Sequence, residues 1–301
     1  MDKLHLITVF VSVVDTNSFA GAARKLNISP PAVTRAINEL ERQLGLALLT
    51  RTTRIVRVTD AGARYVVDCR RILSEIADAD DSVTGMHAAA RGRLTITAPV
   101  LFGNLFVTSI ITEYLNHYPE VSASCFFLDR VVNMLDEGVD VAIRIGELPD
   151  SSMQAIRVGQ VRRVICASPS YLKQYGMPQS AEDLQQHTII SSSGVSSALD
   201  RQWQLMQAGE IFSVKVRARL TTTTNDSAIT AAVSGFGLTR LLSYQVEEHI
   251  RSGQLQEVLS HLEPTPLPVH VVHHEGRNGS QRVRAFIDLA VARLRSNPAI
   301  E

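Results

Sequence analysis

The stretch from Ser18 to Gly45 constrains the fold more than any other, because it confines two short helices to a three-residue connection. Ser18 is a residue type that caps helix N-termini, and Phe19, Ala22, Ala23 and Leu26 then share one helical face. Asn27-Ile28-Ser29 is the connector. Ser29 before Pro30 reads as an N-cap followed by proline at the first helical position, where a missing N–H costs nothing. Pro31 and Ala32 complete that first turn. Val33, Ile37, Leu40 and Leu44 recur at steps of four, three and four, the buried stripe of a second helix that stops at Gly45. Its opposite face carries Pro31, Thr34, Arg35 and Asn38. Ala22 and Ala23 are small enough for the two helices to approach closely. Such a pair can seat its second helix in a DNA major groove. An ordinary helical pair has the same periodicity, so this segment alone leaves both readings open.

Arg51-Thr52-Thr53-Arg54-Ile55-Val56-Arg57-Val58-Thr59 follows, three arginines in a β-prone alternating run. It reads as a wing beside the helices, with Arg51, Arg54 and Arg57 able to meet phosphates or a minor groove. A solvated edge strand would look the same. The net charge of the 301 residues is zero, which by itself speaks against nucleic acid. The charge is unevenly divided, however: residues 1–93 carry 13 basic and 10 acidic side chains, and residues 94–301 carry 17 and 20. That asymmetry hints at separate partners for the two ends.

In order, Phe19-Ala20, Ala22-Ala23, Leu26, Ser29, Pro31-Ala32-Val33-Thr34, Ile37, Leu40-Glu41, Leu44-Gly45, Leu48-Leu49 and Arg51 closely resemble the LysR-type transcriptional regulators, and Val58-Thr59-Asp60-Ala61-Gly62 continues the likeness. The departures are small. Leu49 stands where the family usually has phenylalanine, Pro30 where glutamine is common and Thr34 where serine is common. Pro30 cannot offer the base-edge amide of glutamine, so base specificity does not carry over. The resemblance implies a winged helix-turn-helix at 1–60 whose DNA contacts include Ser18, Ser29, Pro30, Pro31, Ala32, Thr34, Arg35, Asn38, Arg51, Thr52, Thr53 and Arg54.

From Asp60 to Ala90 there is no proline, and Val66, Cys69, Leu73, Ile76 and Val83 form a heptad-like seam with Asp80 in the skipped place. A helix of roughly 30 residues reaches about 45 Å. Its stripe needs a cover, either another subunit or its own chain. The resemblance implies the former: residues 61–90 act as a linker helix that pairs two copies, and Cys69 is then a small buried hydrophobe.

After the hinge at Arg91-Gly92-Arg93, β-branched runs (Leu94–Thr97, Val121–Leu128, Val139–Ile145, Val164–Ala167, Ser213–Thr221, Leu238–Leu241, Val269–His273) alternate with helix-like ones, including Val131–Glu137 and Ser280–Arg295. This predicts an α/β architecture with mostly parallel sheets. Arg91-Gly92-x-Leu94-x-Ile96, Tyr118-Pro119, Asp140–Gly146, Ser168-Pro169-x-Tyr171-Leu172 and Gly235-x-Gly237-Leu238 resemble the effector domain of the same family. The resemblance implies a two-lobed, periplasmic-binding-protein-like domain over 91–301, with lobe I at 94–162 and 269–301 and lobe II at 163–268. The whole chain is thus expected to be a multidomain α+β and α/β protein.

Ligands favour clefts between lobes and the carboxyl ends of parallel strands. Ala98, Pro99, Val100, Leu101 and Phe102 follow the first strand and open a helix, where free N–H groups suit a carboxylate. Arg144, Gly146 and Glu147 follow the third strand, and Ser191, Asn225, Asp226 and Thr239 are candidates for the opposite wall. Many members of the family carry a serine or threonine near position 100. Val100, with Phe102 nearby, suggests a partly apolar mouth and an aromatic effector as the alternative to a carboxylate.

Other readings find less support. Leu4–Val14 is apolar, but Met1-Asp2-Lys3 lacks the net positive charge of a secretory leader, and Leu6, Val9, Phe10 and Val13 recur at helical spacing. Cys69, Cys125 and Cys166 form no C-x-x-C and suggest a reducing compartment. His273-His274 are adjacent on a strand and point to opposite faces, a poor metal site. Gly235-Phe236-Gly237 lacks the third glycine of a dinucleotide fingerprint, and no nucleophile elbow or phosphate loop occurs. The expectation is therefore a cytoplasmic, non-enzymatic regulator without cofactor or metal. Its expected partners are double-stranded DNA at a pseudo-palindromic promoter site, a small carboxylate or aromatic effector, further copies of itself as a homodimer or homotetramer, and RNA polymerase if it activates. No membrane partner is expected. An exported solute receptor and an enzyme using the cleft are the rival readings.

Overall fold

The computed structural model describes residues 2–51, 56–84, 90–148, 153–192, 202–274 and 280–300. Three helices open the chain: α1 (Lys3–Thr16), α2 (Phe19–Leu26) and α3 (Pro30–Leu44). Each starts on a side-chain cap. The Asp2, Ser18 and Ser29 side chains accept from the N–H groups of Leu4, Gly21 and Ala32. Each ends on a residue in the left-handed region, Asn17, Asn27 and Gly45, residue types that tolerate it. Val33, Ile37 and Leu40 are fully buried, as the periodicity predicts. Leu44 is half-buried and Ala36, which that stripe omits, is buried in its place.

Strands β1 (Leu49–Arg51) and β2 (Val56–Val58) pair antiparallel with Thr50 opposite Arg57. This is the wing. Helix α4 (Asp60–Thr84) follows at once, and it runs so close to the wing that a Cβ at Gly62 would lie 2.1 Å from the Leu48 carbonyl oxygen. The seam expected on α4 divides. Val66 and Cys69 are buried, and Leu73 half-buried, against the three-helix head of their own chain, beside Phe10 and Tyr65, so the seam as far as Leu73 is covered internally. Of the later seam positions Ile76 stays 37% exposed, as does Ile72, which is not part of the seam.

Two five-stranded sheets make up the rest. The first contains β3 (Gly92–Ala98), β4 (Val121–Phe127), β5 (Val141–Ile145), β6 (Gln154–Val161) and β14 (Leu267–His273), ordered β4-β3-β5-β14-β6. The second contains β7 (Arg163–Ala167), β8 (Ile189–Ser192), β11 (Ala218–Thr222), β12 (Leu238–Leu242) and β13 (Gln256–Val258), ordered β11-β8-β12-β7-β13. Each sheet has two parallel and two antiparallel pairings, so the expectation of mostly parallel sheets is corrected. The reason is the chain crossing between sheets. β6 and β14, and β7 and β13, are the strands that cross, and they run against their neighbours. A hairpin of β9 (Gln202–Gln207) and β10 (Glu210–Lys215) tucks Trp203 and Leu205 under the second sheet. The run Ser213–Thr221 therefore splits between two strands rather than forming one.

Helices α5 (Val100–Phe102) and α6 (Thr108–His117) are joined by a π turn at Gly103–Val107, and with α10 (Gln281–Arg295) they cover one face of the first sheet. The other face is covered by residues 128–139, which form turns instead of the expected helix over Val131–Glu137. The cause is Asn133, whose side-chain oxygen accepts from the N–H groups of Leu135 and Asp136 and so competes with helical bonding. In the second sheet, α8 (Asn225–Val233) and α9 (Ser243–Arg251) pack on one face and α7 (Pro169–Tyr175) with the hairpin on the other. Among the described residues no helix is long and apolar enough to cross a membrane.

Candidate functional site: a nucleic-acid interface and an inter-lobe cleft

Helix α3 presents Pro31, Arg35 and Asn38 on its exposed face, with Thr34 half-exposed between them. The side chain of Ser29 is committed to capping, 3.4 Å from the Ala32 N–H. Ser18 does the same for α2 at 3.1 Å. Pro30 is exposed at the first turn, and Ala32 is half-buried. Arg35 is exposed and has no ion-pair partner among the described residues. Arg51 ends β1, while Thr52, Thr53 and Arg54 lie outside the described residues.

One residue that the sequence motif contains, but to which sequence reasoning assigned no role, fixes this geometry. Glu41 on α3 accepts from the N–H groups of both Leu48 (2.8 Å) and Leu49 (3.0 Å) with a single carboxylate oxygen. It ties the start of the wing to the exposed helix. Thr59 closes the other side: its hydroxyl donates toward the Ala47 carbonyl and accepts from Gly62 N–H. Helices α3 and α4 are thus both hydrogen-bonded to the segment that starts the wing. The signal was present as Glu41 one position after Leu40, but its targets lie seven and eight residues on, beyond any local capping pattern.

The two sheets are linked by crossing segments at Arg162 and at residues 259–266. Arg162 clamps them. Its Nη1 lies 2.9 and 2.8 Å from the two carboxylate oxygens of Glu263, and its Nη2 lies 3.1 Å from Glu257. Burial raises the Glu263 carboxyl above its ordinary value, and the Arg162 bond opposes that rise. The backbone of Arg162 also exchanges bonds with Ser243, whose hydroxyl accepts from its N–H and whose N–H reaches its carbonyl. The lobes touch again through aromatic rings: Phe102 and Phe106 meet Tyr244 of α9 with centroids 5.3 and 5.7 Å apart.

Around this junction the candidates separate into two groups. Pro99, Val100 and Leu101 sit half-exposed at the head of α5, and Leu101 packs against both lobes. Ser191 lies half-exposed one residue before the end of β8, while Asn225 and Asp226 open α8 beside it. The neighbouring Ser192 hydroxyl donates to the Asn225 side-chain oxygen at 2.6 Å. Gly146 adopts φ +110° at the end of β5, and its N–H reaches the Pro268 carbonyl on a crossing segment, with Glu147 exposed next to it. Ala98, Phe102 and Thr239 are buried and show no side-chain surface in this conformation; the Thr239 hydroxyl is buried without a partner. Arg144 is half-buried under residues 128–139, donates to the Val132 carbonyl at 2.7 Å, and is pushed down in pKa by that burial.

The free helix N-terminus expected at Val100 is not free. Asp129 places a carboxylate oxygen 3.0 Å from the Val100 N–H. An internal anion thus already occupies the position that the helix end offers to a ligand carboxylate.

Comparison with known proteins agrees with this anatomy. The model of the bacterial regulatory helix-turn-helix proteins of the lysR family matches residues 4–63, and that of the LysR substrate binding domain matches residues 87–295. An HTH-type transcriptional repressor of Pseudomonas aeruginosa is 31% identical over 301 residues, spanning all of this chain and 95% of its own length. The structure of CrgA, a LysR-type transcriptional regulator from Neisseria meningitidis, is 30% identical with a TM-score of 0.62, covering 97% of this chain and 99% of that one. The full-length structure of the Vibrio cholerae virulence activator AphB is 28% identical with a TM-score of 0.61, covering 97% and 99%. With its capped reading helix, wing and two-lobed C-terminal part, the chain belongs to the LysR-type transcriptional regulators, a non-enzymatic family with a DNA-binding helix-turn-helix and an effector-binding domain.

Proposed function

We propose that α3 enters the major groove with Thr34, Arg35 and Asn38 toward base edges, and that Pro30, Pro31 and Ala32 approach the backbone. Ser18 and Ser29 contribute through the helix N-termini they cap. The wing, with Arg51, Thr52, Thr53 and Arg54, meets flanking phosphates. The observation that carries this reading is an exposed Arg35 without an ion pair on a helix braced to the wing by Glu41. Two heads joined through the exposed Ile72 and Ile76 of α4 would read the half-sites of a pseudo-palindrome. Pairing of such dimers into tetramers, contact with RNA polymerase on activated promoters and a cytoplasmic location belong to the same reading.

The effector site of this reading is the rim formed by Pro99, Val100, Leu101, Gly146, Glu147, Ser191, Asn225 and Asp226, backed by Ala98, Phe102, Arg144 and Thr239. Asp129, Glu147 and Asp226 make that rim acidic, and Leu101 makes part of it apolar. Of the two effector classes expected from the sequence, this supports an aromatic, apolar body over a simple carboxylate. Any effector shifts DNA binding only by preferring one arrangement of the lobes.

Footprinting of the promoter region beside the protein's own gene, with and without candidate metabolites, tests the whole proposal. Arg35→Ala is expected to weaken the footprint far more than binding to random DNA. Equal loss on both would remove Arg35 from base recognition.

A further inference from the structure

Among the described residues turns rather than a helix cover one face of the first sheet, and helix α4 approaches it across a cavity of about 340 Å³. The two walls differ in chemistry. Arg70 and Arg71 of α4 face Arg93 of β3 across the space, while Phe126 of β4 and Leu135 of the covering turns supply apolar surface. Phe126 and Leu135 are 49% and 57% exposed, a considerable amount of uncovered apolar area for one small region.

The carboxylates in this wall are committed. Asp140 accepts from the Thr95 N–H at 2.7 Å and lies 3.9 Å from the Arg282 guanidinium. Glu137 is held by Arg130 through two bonds of 2.8 and 2.7 Å. The arginines have partners as well: Arg70 Nη2 pairs with Asp15 at 2.6 Å, Arg71 lies 3.8 Å from Asp68, and Arg93 Nε donates to the Ser124 hydroxyl at 2.9 Å. Two buried nitrogens in the lining nevertheless have no hydrogen-bond partner: Nε of Arg70 and Nε2 of His274. Buried polar atoms are rarely left unmatched, and such atoms in a cavity wall mark where a ligand or water completes the bonding. The volume falls in the range that small organic ligands fill.

We propose that this cavity binds a small amphipathic anion, a carboxylate on a ring-sized apolar body, held between α4 and the first sheet. The carboxylate turns toward the arginines and the body lies against Phe126 and Leu135. The site is separate from the inter-lobe cleft and does not depend on that reading. It joins the helix that leaves the DNA-binding head to the domain that follows, so ligand and operator alter each other's affinity by the same factor.

Photolabelling of the full chain with 4-azidobenzoate tests this, with neutral 4-azidobenzamide as the comparison and peptide mapping as the readout. The acid is expected to label residues 64–71 or 126–140 about tenfold more than the amide. Arg71→Glu, which places a like charge beside the anion, should cut that labelling by about tenfold or more. Leu135→Trp, at an exposed turn, should do so by filling the space. Equal labelling by acid and amide overturns the proposal. So does label confined to the inter-lobe segments, no label at all, or labelling that both variants leave unchanged.

Discussion

Removing the Glu41 carboxylate isolates what holds the reading helix to the wing. In Glu41→Ala, the N–H groups of Leu48 and Leu49 lose acceptors at 2.8 and 3.0 Å. Both residues are almost wholly buried, at 1% and 5% exposure, so water replaces the carboxylate poorly. Hydrogen bonds to a charged group contribute about 1.5–3 kcal/mol each. Glu41 is half-exposed, so about 1 kcal/mol each is the safer figure after solvent screening. The pair then stabilises the local structure by about 2 kcal/mol, or roughly 30-fold in the opening equilibrium. Local opening is read directly by amide hydrogen exchange. The peptide containing Leu48 and Leu49 should lose protection by about that factor, while peptides from the two sheets stay unchanged. Glu41→Gln keeps an acceptor oxygen but forfeits the charge, and neutral bonds are about half as strong, so it should lose protection by only about fivefold. Operator affinity should fall in the same order, alanine below glutamine below wild type. If both variants exchange within threefold of wild type, Glu41 does not brace the wing. If alanine and glutamine behave alike, the bonding is not what matters.

Three further outcomes are expected. Ile72→Asp with Ile76→Asp places charge on the exposed apolar part of α4 and should convert the assembly to monomers in sedimentation; a surviving oligomer removes these residues from the pairing face. Arg162→Ala leaves Glu263, 15% exposed, without its cation, and should lower the melting of the two-lobed part by the equivalent of about 1 kcal/mol, a figure reduced because Arg162 is itself 46% exposed; an unchanged melting curve would count against the clamp. His187, His270 and His274 are each held below their ordinary 6.5 by burial. The unfolded chain therefore binds these protons more readily, so their contribution to stability is complete above 6.5 and falls as pH drops below it; denaturant midpoints that rise between pH 7 and pH 5.5 would contradict the sign.

Much of the head was legible because its signals are local. Ser18, Ser29 and Gly45 act on residues three or four positions away, and Val33, Ile37 and Leu40 declare a buried stripe through spacing alone. The same logic found most strands of the two sheets, whose β-branched runs are bounded by turns. It failed where a short-range competitor intervened, as at Asn133, whose side chain bonds the next turn and dissolves an apolar pattern that otherwise reads as helix. It also failed for direction. Periodicity shows that Val269–His273 can be a strand, but not that the chain crosses to another sheet and returns antiparallel; Gln154–Val161 was not read as a strand at all. The apolar spacing on α4 was readable as a pattern, yet sequence could not show that Val66, Cys69 and Leu73 pack on the head of the same chain while Ile76 stays exposed.

The residues that sequence reasoning overlooked share one chemistry. Glu41, Asp129 and Asp140 each give a carboxylate oxygen to a backbone N–H far along the chain, at Leu48 and Leu49, Val100 and Thr95 respectively. Asp183 does the same more locally for Gln179 and Ser180, and those bonds hold its carboxyl below the ordinary range. Composition counts such groups as surface charge. Here they are structural acceptors that finish helix and strand ends which no nearby side chain could cap. This has a direct consequence at the effector rim. While Asp129 occupies the head of α5, an incoming carboxylate must displace it or settle elsewhere. Asp129→Asn should therefore loosen that helix end and at the same time make the cleft more tolerant of anions. Binding isotherms for small carboxylates that are unchanged by this substitution would show that the head of α5 is not where effectors make contact.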